Sequence, residues 1–352
     1  MKVAVGLGRD AITDWEEVAT YAVESEALGV DCMWAAEAWS HEVVAPLAFV
    51  AAKTEKIDIG TSIMQVGTRT PALIAMTAMT LDSMSNGRFR LGLGSSGPQV
   101  IEGWHGVPFR KPVQRTREVV EIVQRIFNGE TLAYEGEFHT LPLIEGATGQ
   151  GKALRSGAPP PKHVPIYIAS LGPKNLELTG ELADGWLGNY FIPEHVEVFL
   201  GPMRRGAEAA GRSVDDIDLQ VGGSVRFTDD VDEAVQSEKR RLAFQIGAMG
   251  SRSQNFYTDV YARQGFADEA REVQRLWLAG DRDEARARVP DELVLGSNLI
   301  GDTQMIRERL RVYRDAGIDT FRAGPYGATV GDRLETVGRL MDLVNEVTSE
   351  TA

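Results

Sequence analysis

The sequence has almost no cysteine and no long apolar run. Cys32 is the only cysteine among 352 residues, which excludes a disulfide framework and a metal site built on cysteine ligands. No apolar stretch approaches the roughly 20 residues of a membrane-spanning helix. The N-terminus, "MKVAVGLGRD", lacks a signal-peptide cleavage pattern and predicts a first strand instead. We therefore expect a cytoplasmic protein with no membrane partner.

Basic charge and metal-binding patterns are also scarce. The chain has 37 Lys and Arg against 51 Asp and Glu, a formal net charge of -14 at pH 7. A chain this acidic repels nucleic acid and anionic lipid, so we expect neither as a partner. An anionic ligand would need a local feature, such as a helix N-terminus or one placed Arg or Lys. The 5 histidines show neither H-x-H nor H-E-x-x-H spacing, so no protein-bound metal is expected.

A resident nucleophile is missing as well. The sequence contains no Gly-x-Ser-x-Gly elbow, and the single cysteine does not indicate thiol catalysis. Without a nucleophile or a metal, a bound cofactor becomes the expected source of reactivity.

The pattern that is present is an alternation of strand-like and helical segments. It repeats eight times, from "KVAVGLG" at the N-terminus to "DTFRAGPY" near the C-terminus. Such alternation predicts a parallel sheet with right-handed crossovers, and eight units predict a (β/α)8 TIM barrel. A doubly wound open sheet is the alternative. We expect one domain over residues 1–352, with insertions after units four and seven.

The two insertions differ in character. Residues 129–163 contain an expected hairpin, "LAYEGEFHTL", and a loop rich in glycine and proline. Residues 251–302 are expected to be mostly helical.

The stretch "RLGLGSSGPQVIEGWHG", residues 90–106, contains a G-x-G-x-x-G motif. Its glycines are Gly92, Gly94 and Gly97. A dinucleotide-binding fingerprint needs a helix that begins at the third glycine and meets the pyrophosphate. Here Pro98 and two further glycines follow, and the next helix is expected near Val113. The motif therefore predicts a barrel strand that ends in small residues, against which a planar ring can lie. A tight turn without a ligand is the alternative.

The ends of three other strands carry candidate site residues, because TIM-barrel active sites lie at the carboxyl ends of the strands. Strand two ends in "AAEAWSHE", which places Glu37, Trp39 and His41 near the mouth. Strand three ends within "GTSIMQVGTRTP". Strand five ends in "IASLGPKN", residues 168–175, and a helix begins at Pro173. That helix N-terminus, with Lys174 beside it, predicts a phosphate-binding site. The alternative is an ordinary capped helix.

These motifs together resemble the bacterial-luciferase-like superfamily. Within it, the chain is similar to coenzyme F420-dependent oxidoreductases such as methylenetetrahydromethanopterin reductase and F420-dependent glucose-6-phosphate dehydrogenase. The segments that carry the resemblance span most of the chain and include "GTSIMQVGTRTPALIAM", "SNGRFRLGLGSSGPQVIEGWHGVPF" and "PIYIASLGPKNLELTGELADGW". The resemblance implies a barrel that binds the deazaflavin F420 in its C-terminal mouth and associates as a homodimer.

The resemblance also implies specific residues. A non-proline cis peptide bond at Ser62–Ile63 would form a bulge behind the deazaflavin ring. Glu37 matches an acidic position near the reactive ring. The cofactor-binding residues expected in this way are Ser62, Ile63, Gln65, Ser95, Ser96, Gly97, Ser170, Leu171, Gly172, Pro173, Lys174 and Asn175.

One position departs from the sugar-phosphate dehydrogenases. Where they have a histidine after the strand-two acid, this chain has Ala38, so sugar oxidation with that base is not expected. His41 and His105 are candidates to replace it, with a partly buried structural role as the alternative.

Further candidates lie around the mouth. Trp39 and Trp104 are candidate substrate contacts, with rim packing as the alternative. The segment "MGSRSQNFY" is expected to cover the mouth, where Arg252 would meet the anionic cofactor tail or form a surface ion pair.

The expected activity is hydride transfer between the deazaflavin carbon C5 and a small organic substrate. Glu37, His41 or His105 would move the partner proton. One alternative is an FMN-dependent luciferase-like monooxygenase, and a second is a non-catalytic protein that binds F420 or flavin.

Overall fold

The centre of the molecule is a set of short parallel strands. The computed structural model describes residues 1–7, 14–249 and 255–350. The strands are β1 Lys2–Gly6, β2 Cys32–Ala35, β3 Asp58–Thr61, β4 Met64–Gln65, β5 Phe89–Gly94, β6 Tyr134–Glu135, β7 Thr140–Leu141, β8 Ile166–Ile168, β9 Gly185–Gly188, β10 Asp218–Phe227, β11 Leu299–Gly301 and β12 Thr320–Pro325.

These strands close into a barrel. The order β1, β2, β3, β5, β8, β9, β10, β12 returns to β1, and every neighbouring pair is parallel. This closure confirms the TIM barrel and excludes the open doubly wound sheet. β3 and β4 together form the third barrel strand, because β4 also pairs with β5. The sequence did not predict β11, which pairs with the end of β10 from within the second insertion.

Helices follow the barrel strands on the outside, as the alternation predicted. They are α1 Trp15–Ala27, α2 Val44–Lys53, α3 Pro71–Met84, α4 Pro98–Ile101, α5 Pro112–Phe127, α6 Pro173–Leu182, α7 Glu197–Ala209, α8 Val231–Ala248, α9 Phe256–Tyr261, α10 Ala267–Ala279, α11 Arg282–Ala287, α12 Asp291–Gly296, α13 Thr303–Asp315 and α14 Val330–Ser349. Among the helices of the described ranges, none has the length and apolar character to span a membrane.

Local sequence signals set several helix boundaries. The Thr70 side chain accepts from the N–H of Leu73 at the start of α3, and Thr329 with Asp332 forms a capping box at the start of α14. Gly29 and Gly317 have φ of 85° and 81° after α1 and α13, a conformation that glycine adopts without a steric penalty.

The glycine motif in β5 serves contact between strands three and four. A Cβ at Gly92 would lie 1.8 Å from the Thr61 carbonyl oxygen, and one at Gly94 would lie 2.9 Å from Ile63 Cγ1. The helix expected near Val113 is α5, which begins at Pro112, but the one-turn α4, which begins at Pro98, was not expected. Proline suits the first helical position, but a single turn is much shorter than the helix of a dinucleotide fold.

The described parts of the two long connections have the expected content. In residues 129–163, β6 and β7 pair as an antiparallel hairpin. The buried Glu118 carboxylate, on α5, holds the loop between β6 and β7. It accepts from the backbone N–H groups of Glu137, Phe138 and His139 at 2.8, 2.9 and 3.0 Å. The second connection contains α9 to α12 before β11. The chain kinks between α9 and α10, where Gly265 has φ of 99°.

The barrel interior is filled from its N-terminal end. Arg90 forms ion pairs with Asp31 at 2.8 Å and Asp58 at 2.5 Å. Above this cluster, a small apolar group inside the barrel separates it from the mouth. That group consists of Ala4, Cys32, Trp34, Tyr167 and Leu187. The larger apolar core lies between the strands and the surrounding helices.

The buried Arg90 cluster gives a stability prediction. Replacement of Arg90 by Met leaves Asp58 without its cation and Asp31 with only the exposed Lys2, at 3.3 Å. We expect the free energy of unfolding to fall by about 3–5 kcal/mol. The matched control is Arg204→Gln, which breaks an exposed pair with Glu197 and is expected to cost about 0–1 kcal/mol. Urea denaturation measures both variants, and equal losses would contradict the assigned role of the cluster.

Candidate functional site

The carboxyl ends of strands two, three and four meet on one side of the mouth. Ser62 N–H donates to the Ala35 carbonyl at 2.6 Å, and Glu37 N–H donates to the Ile63 carbonyl at 3.3 Å. Gln65 is paired with Gly94 of β5. The structure thus brings the predicted residues Glu37, Ser62, Ile63 and Gln65 together. The cis peptide bond expected at Ser62–Ile63 is present.

Glu37 is held by an arginine that the sequence analysis missed. Its Oε2 accepts from Arg69 Nη2 at 3.1 Å, and its Oε1 accepts from Gln65 N–H at 3.0 Å. The Glu37 side chain is 9% exposed. Two donors therefore fix the direction of this carboxylate at the edge of the mouth.

Gln65 offers an acceptor beside this ion pair. Its side-chain Nε2 lies 3.4 Å from the carbonyl oxygens of both Glu37 and Ala38. Within the described ranges its buried Oε1 has no hydrogen-bond partner. A bound ligand with a donor group could satisfy that oxygen.

A second missed arginine crosses the barrel beneath Ser62. Arg322 of β12 donates from Nη1 to Ser62 Oγ at 2.9 Å and from Nη2 to Asn189 Oδ1 at 3.0 Å. It thereby links strand eight to strand three and to the end of strand six. A charged residue at an inward position of the predicted strand "DTFRAGPY" was the available signal.

The residues after β5 adopt an unusual backbone conformation. Ser96 has φ of 58°, and Ser95 Oγ donates to the Ser96 carbonyl at 3.3 Å. Gly97 is extended and serves as the N-cap of α4. At the end of β9, Tyr190 also has a positive φ, of 60°. Left-handed conformations cost free energy in residues other than glycine, and they cluster where proteins bind ligands.

Hydrogen bonds of Ser170 hold the turn from β8 to α6 in place, while the start of α6 has no side-chain cap. Ser170 is buried, with its Oγ 2.8 Å from Thr179 Oγ1 and its carbonyl 3.0 Å from Trp186 Nε1. No side chain caps the first turn of α6, whereas Thr70 and Thr329 cap α3 and α14.

Space and polar groups remain available at this turn. A Cβ at Gly172 would meet nothing within 4 Å. Pro173 and Lys174 are exposed, Leu171 is half-buried, and Asn175 Oδ1 is a buried acceptor without a partner among the described residues. An uncapped helix N-terminus with open space before it suits an anion.

Arg263 adds a cation to this turn, and the sequence analysis missed it. Its guanidinium donates to the Leu171 carbonyl. Burial lowers the pKa of Arg263, and the charge of Asp259 opposes that lowering. Arg252, which was expected near the cofactor tail, lies in residues 250–254, outside the described ranges, with most of "MGSRSQNFY".

The two candidate histidines have different surroundings. The His41 ring meets Trp15 edge-on, with ring centroids 5.6 Å apart. It lines a side cavity of about 290 Å³ that also borders Glu42 and Phe49. His105 is exposed just after α4. In the described part of the chain, no hydrogen bond or ion pair joins either histidine to Glu37.

The two candidate tryptophans are exposed. Trp39 is 53% exposed and Trp104 is 68% exposed. Their rings are therefore accessible to a ligand. Over residues 1–7, 14–249 and 255–350, no group of three or more His, Cys, Asp or Glu side chains is arranged to hold a metal ion.

Comparison with known proteins identifies the family of the chain. A profile of the luciferase-like monooxygenase family matches residues 2–320. A Mycobacterium tuberculosis protein named "putative coenzyme F420-dependent oxidoreductase Rv3520c" is 38% identical over 90% of this chain and 93% of its own length. The 5,10-methylenetetrahydromethanopterin reductase of Archaeoglobus fulgidus is 28% identical over 92% of this chain and 94% of its own.

A solved structure shows the same fold. The coenzyme F420-dependent tetrahydromethanopterin reductase of Methanopyrus kandleri superposes with a TM-score of 0.78 at 24% identity, covering 98% of both chains. The resemblance expected from the strand-end motifs is confirmed. The chain belongs to the luciferase-like monooxygenase family.

Proposed function

We propose that this protein is a coenzyme F420-dependent oxidoreductase that transfers a hydride between F420 and a small organic substrate in the barrel mouth. The observation that carries the proposal is the open, uncapped turn at residues 170–172. This turn follows β8, the strand paired with β5, in which Gly94 contacts Ile63. The 38% identity to a mycobacterial protein named for this cofactor supports the choice of F420.

The residues present fit such a group. A planar ring would lie beside the strand ends that Gly94 keeps free of side chains, in contact with Ser62, Ile63, Gln65, Ser95, Ser96 and Gly97. The phosphate would lie at Ser170, Leu171 and Gly172. Pro173, Lys174 and Asn175, at the start of α6, would complete this phosphate-binding site. Arg263 would add positive charge to it.

In this proposal, F420 supplies a carbon, C5, that accepts or donates a hydride when the cofactor is bound. Glu37 takes or returns the partner proton, since its carboxylate lies at the mouth and is oriented by Arg69 and the Gln65 N–H. His41 and His105 are the other proton carriers in the proposal. The exposed rings of Trp39 and Trp104 cover the substrate.

The cofactor assignment is tested by fluorescence titration with F420 and, separately, with FMN. We expect F420 to bind at micromolar concentration or tighter, and FMN to bind little. Gly172→Asp adds a carboxylate at the phosphate-binding site, where the structure has room, and should weaken F420 binding about tenfold. Gly157→Asp, another open position, is the matched control and should leave F420 affinity unchanged.

The other outcomes have definite meanings. A preference for FMN would contradict the F420 assignment and favour the flavin monooxygenase alternative, for which oxygen uptake is the next assay. Binding of neither cofactor would overturn the proposed function. Tight F420 binding without turnover on any substrate would favour the non-catalytic alternative.

Glu37→Gln tests the proton step. We expect turnover to fall about a hundredfold or more, with the Kd for F420 changed less than twofold, because the amide cannot carry the proton. Glu42→Gln is the matched control, since Glu42 also contacts Arg69 but is half exposed. Both are assayed with a substrate found by screening for reduction or reoxidation of F420, and unchanged turnover in Glu37→Gln would remove that residue from the mechanism.

The proposal includes a homodimer. Leu73, Met76 and Met84 lie on one face of α3 and are 45%, 60% and 53% exposed. We expect Met76→Glu to shift the protein from dimer to monomer in light scattering coupled to size exclusion. Leu278→Glu, on α10, is the control and should remain dimeric. A monomeric wild-type protein would refute this part of the proposal.

A further inference from the structure

A second basic site lies beside Ser95, on the side of the mouth formed by strands three and four. Arg110 precedes α5 and Arg115 lies in its first turn. Both line a narrow groove together with Gly67, Ser95 and Phe109. The free volume of the groove is about 10 Å³, close to the minimum that holds one water molecule. The groove therefore suits a single oxygen atom of a larger group.

Arg115 is fixed in position by its surroundings. Its guanidinium lies over the Phe138 ring, 4.7 Å from the centroid. Phe138 is held in turn, because its backbone N–H donates to the buried Glu118 carboxylate at 2.9 Å. On the other side, a Cβ at Gly67 would lie 3.5 Å from Arg115 Nη1. The cation is thus placed between the hairpin and the loop that follows β4.

No carboxylate of the described residues forms a direct ion pair with Arg110 or Arg115. In the described ranges Arg115 Nε is buried without a hydrogen-bond partner. By contrast, Arg117 of the same helix binds Glu181 at 2.5 Å. Burial and then the charge of Arg110 lower the pKa of Arg115, while Glu118 opposes this lowering.

Two neighbouring cations in a partly buried groove carry a free-energy cost unless an anion compensates them. The protein as a whole is acidic, with a net charge of -14, so an unpaired basic pair is not a consequence of its composition. The groove opens beside Ser95, which the proposed function places at the cofactor ring. An anion bound here would therefore belong to a molecule in the mouth.

We propose that Arg110 and Arg115 form an anion subsite that binds a carboxylate or phosphate group of a ligand occupying the mouth. The subsite follows strand four, whereas the turn at residues 170–172 follows strand five. The identification of this ligand as the cofactor or the substrate rests on the proposed function. The anionic group belongs either to the cofactor tail or to the substrate.

The test uses the full chain and three variants: Arg110→Gln, Arg115→Gln and, as the matched control, Arg117→Gln. Arg110 is exposed, so its substitution leaves the fold intact even if that of Arg115 does not. The first arm is fluorescence titration with F420. If the cofactor tail is the anion, the Kd for F420 rises about tenfold or more in the first two variants and not in the third.

The second arm is calorimetric titration of the F420-loaded protein with inorganic phosphate, at constant ionic strength. If the substrate supplies the anion, F420 affinity is unchanged, and phosphate binds the wild type and Arg117→Gln but at least tenfold more weakly to Arg110→Gln. Either pattern supports the subsite and identifies the source of its anion. Equal F420 and phosphate affinities in Arg110→Gln and Arg117→Gln would overturn the proposal.

Failure of the proposed function remains distinguishable from failure of this inference. If the protein binds no F420, the phosphate titration is repeated on the protein without cofactor. Phosphate binding that depends on Arg110 would then support the subsite alone. Binding that is independent of Arg110, or absent, would overturn the subsite as well.

Discussion

The limited width of an eight-stranded barrel is the constraint on which the rest of this structure depends. The interior has room only for side chains, so what fills each level decides where a ligand can enter. Arg90 and its carboxylates fill the N-terminal end, and Trp34 with Tyr167 fills the middle. At the C-terminal end, Gly94 keeps the wall free of a side chain. A ligand therefore has room at this end of the barrel, above the two filled levels.

Close contact between strands three and four shapes one wall of that mouth. Gly92 has no side chain and so leaves room for the Thr61 carbonyl. The Thr61 hydroxyl donates to the Gly92 carbonyl at 2.7 Å and accepts from the Gly92 N–H at 2.9 Å. Arg322 then ties Ser62 to the opposite side of the barrel. The candidate cofactor wall therefore belongs to the rigid strand framework, whereas His105 and Trp104 are carried by the loop after α4.

Individual arginines carry the positive charge at the mouth, although the chain as a whole is acidic. Arg69 orients Glu37, and Arg263 contacts the turn at residues 170–172. Arg110 and Arg115 face the groove beside Ser95. In a low-dielectric cleft such cations act strongly over short distances, while the net negative charge repels polyanions from the outer surface. The proposed small ligand with several anionic groups rests on this arrangement.

The sequence by itself determined the barrel, the helices and the small residues at the strand ends, because these follow from local periodicity and turn chemistry. Tertiary structure decided which distant side chains meet. Arg322 and Ser62 are 260 residues apart, and only closure of the barrel makes them neighbours. The short elements α4 and β11 were missed for a related reason. A helix repeats every 3.6 residues and a strand every two, so segments of three or four residues are too short to show a repeated pattern. Their conformation depends on the strands and loops packed against them.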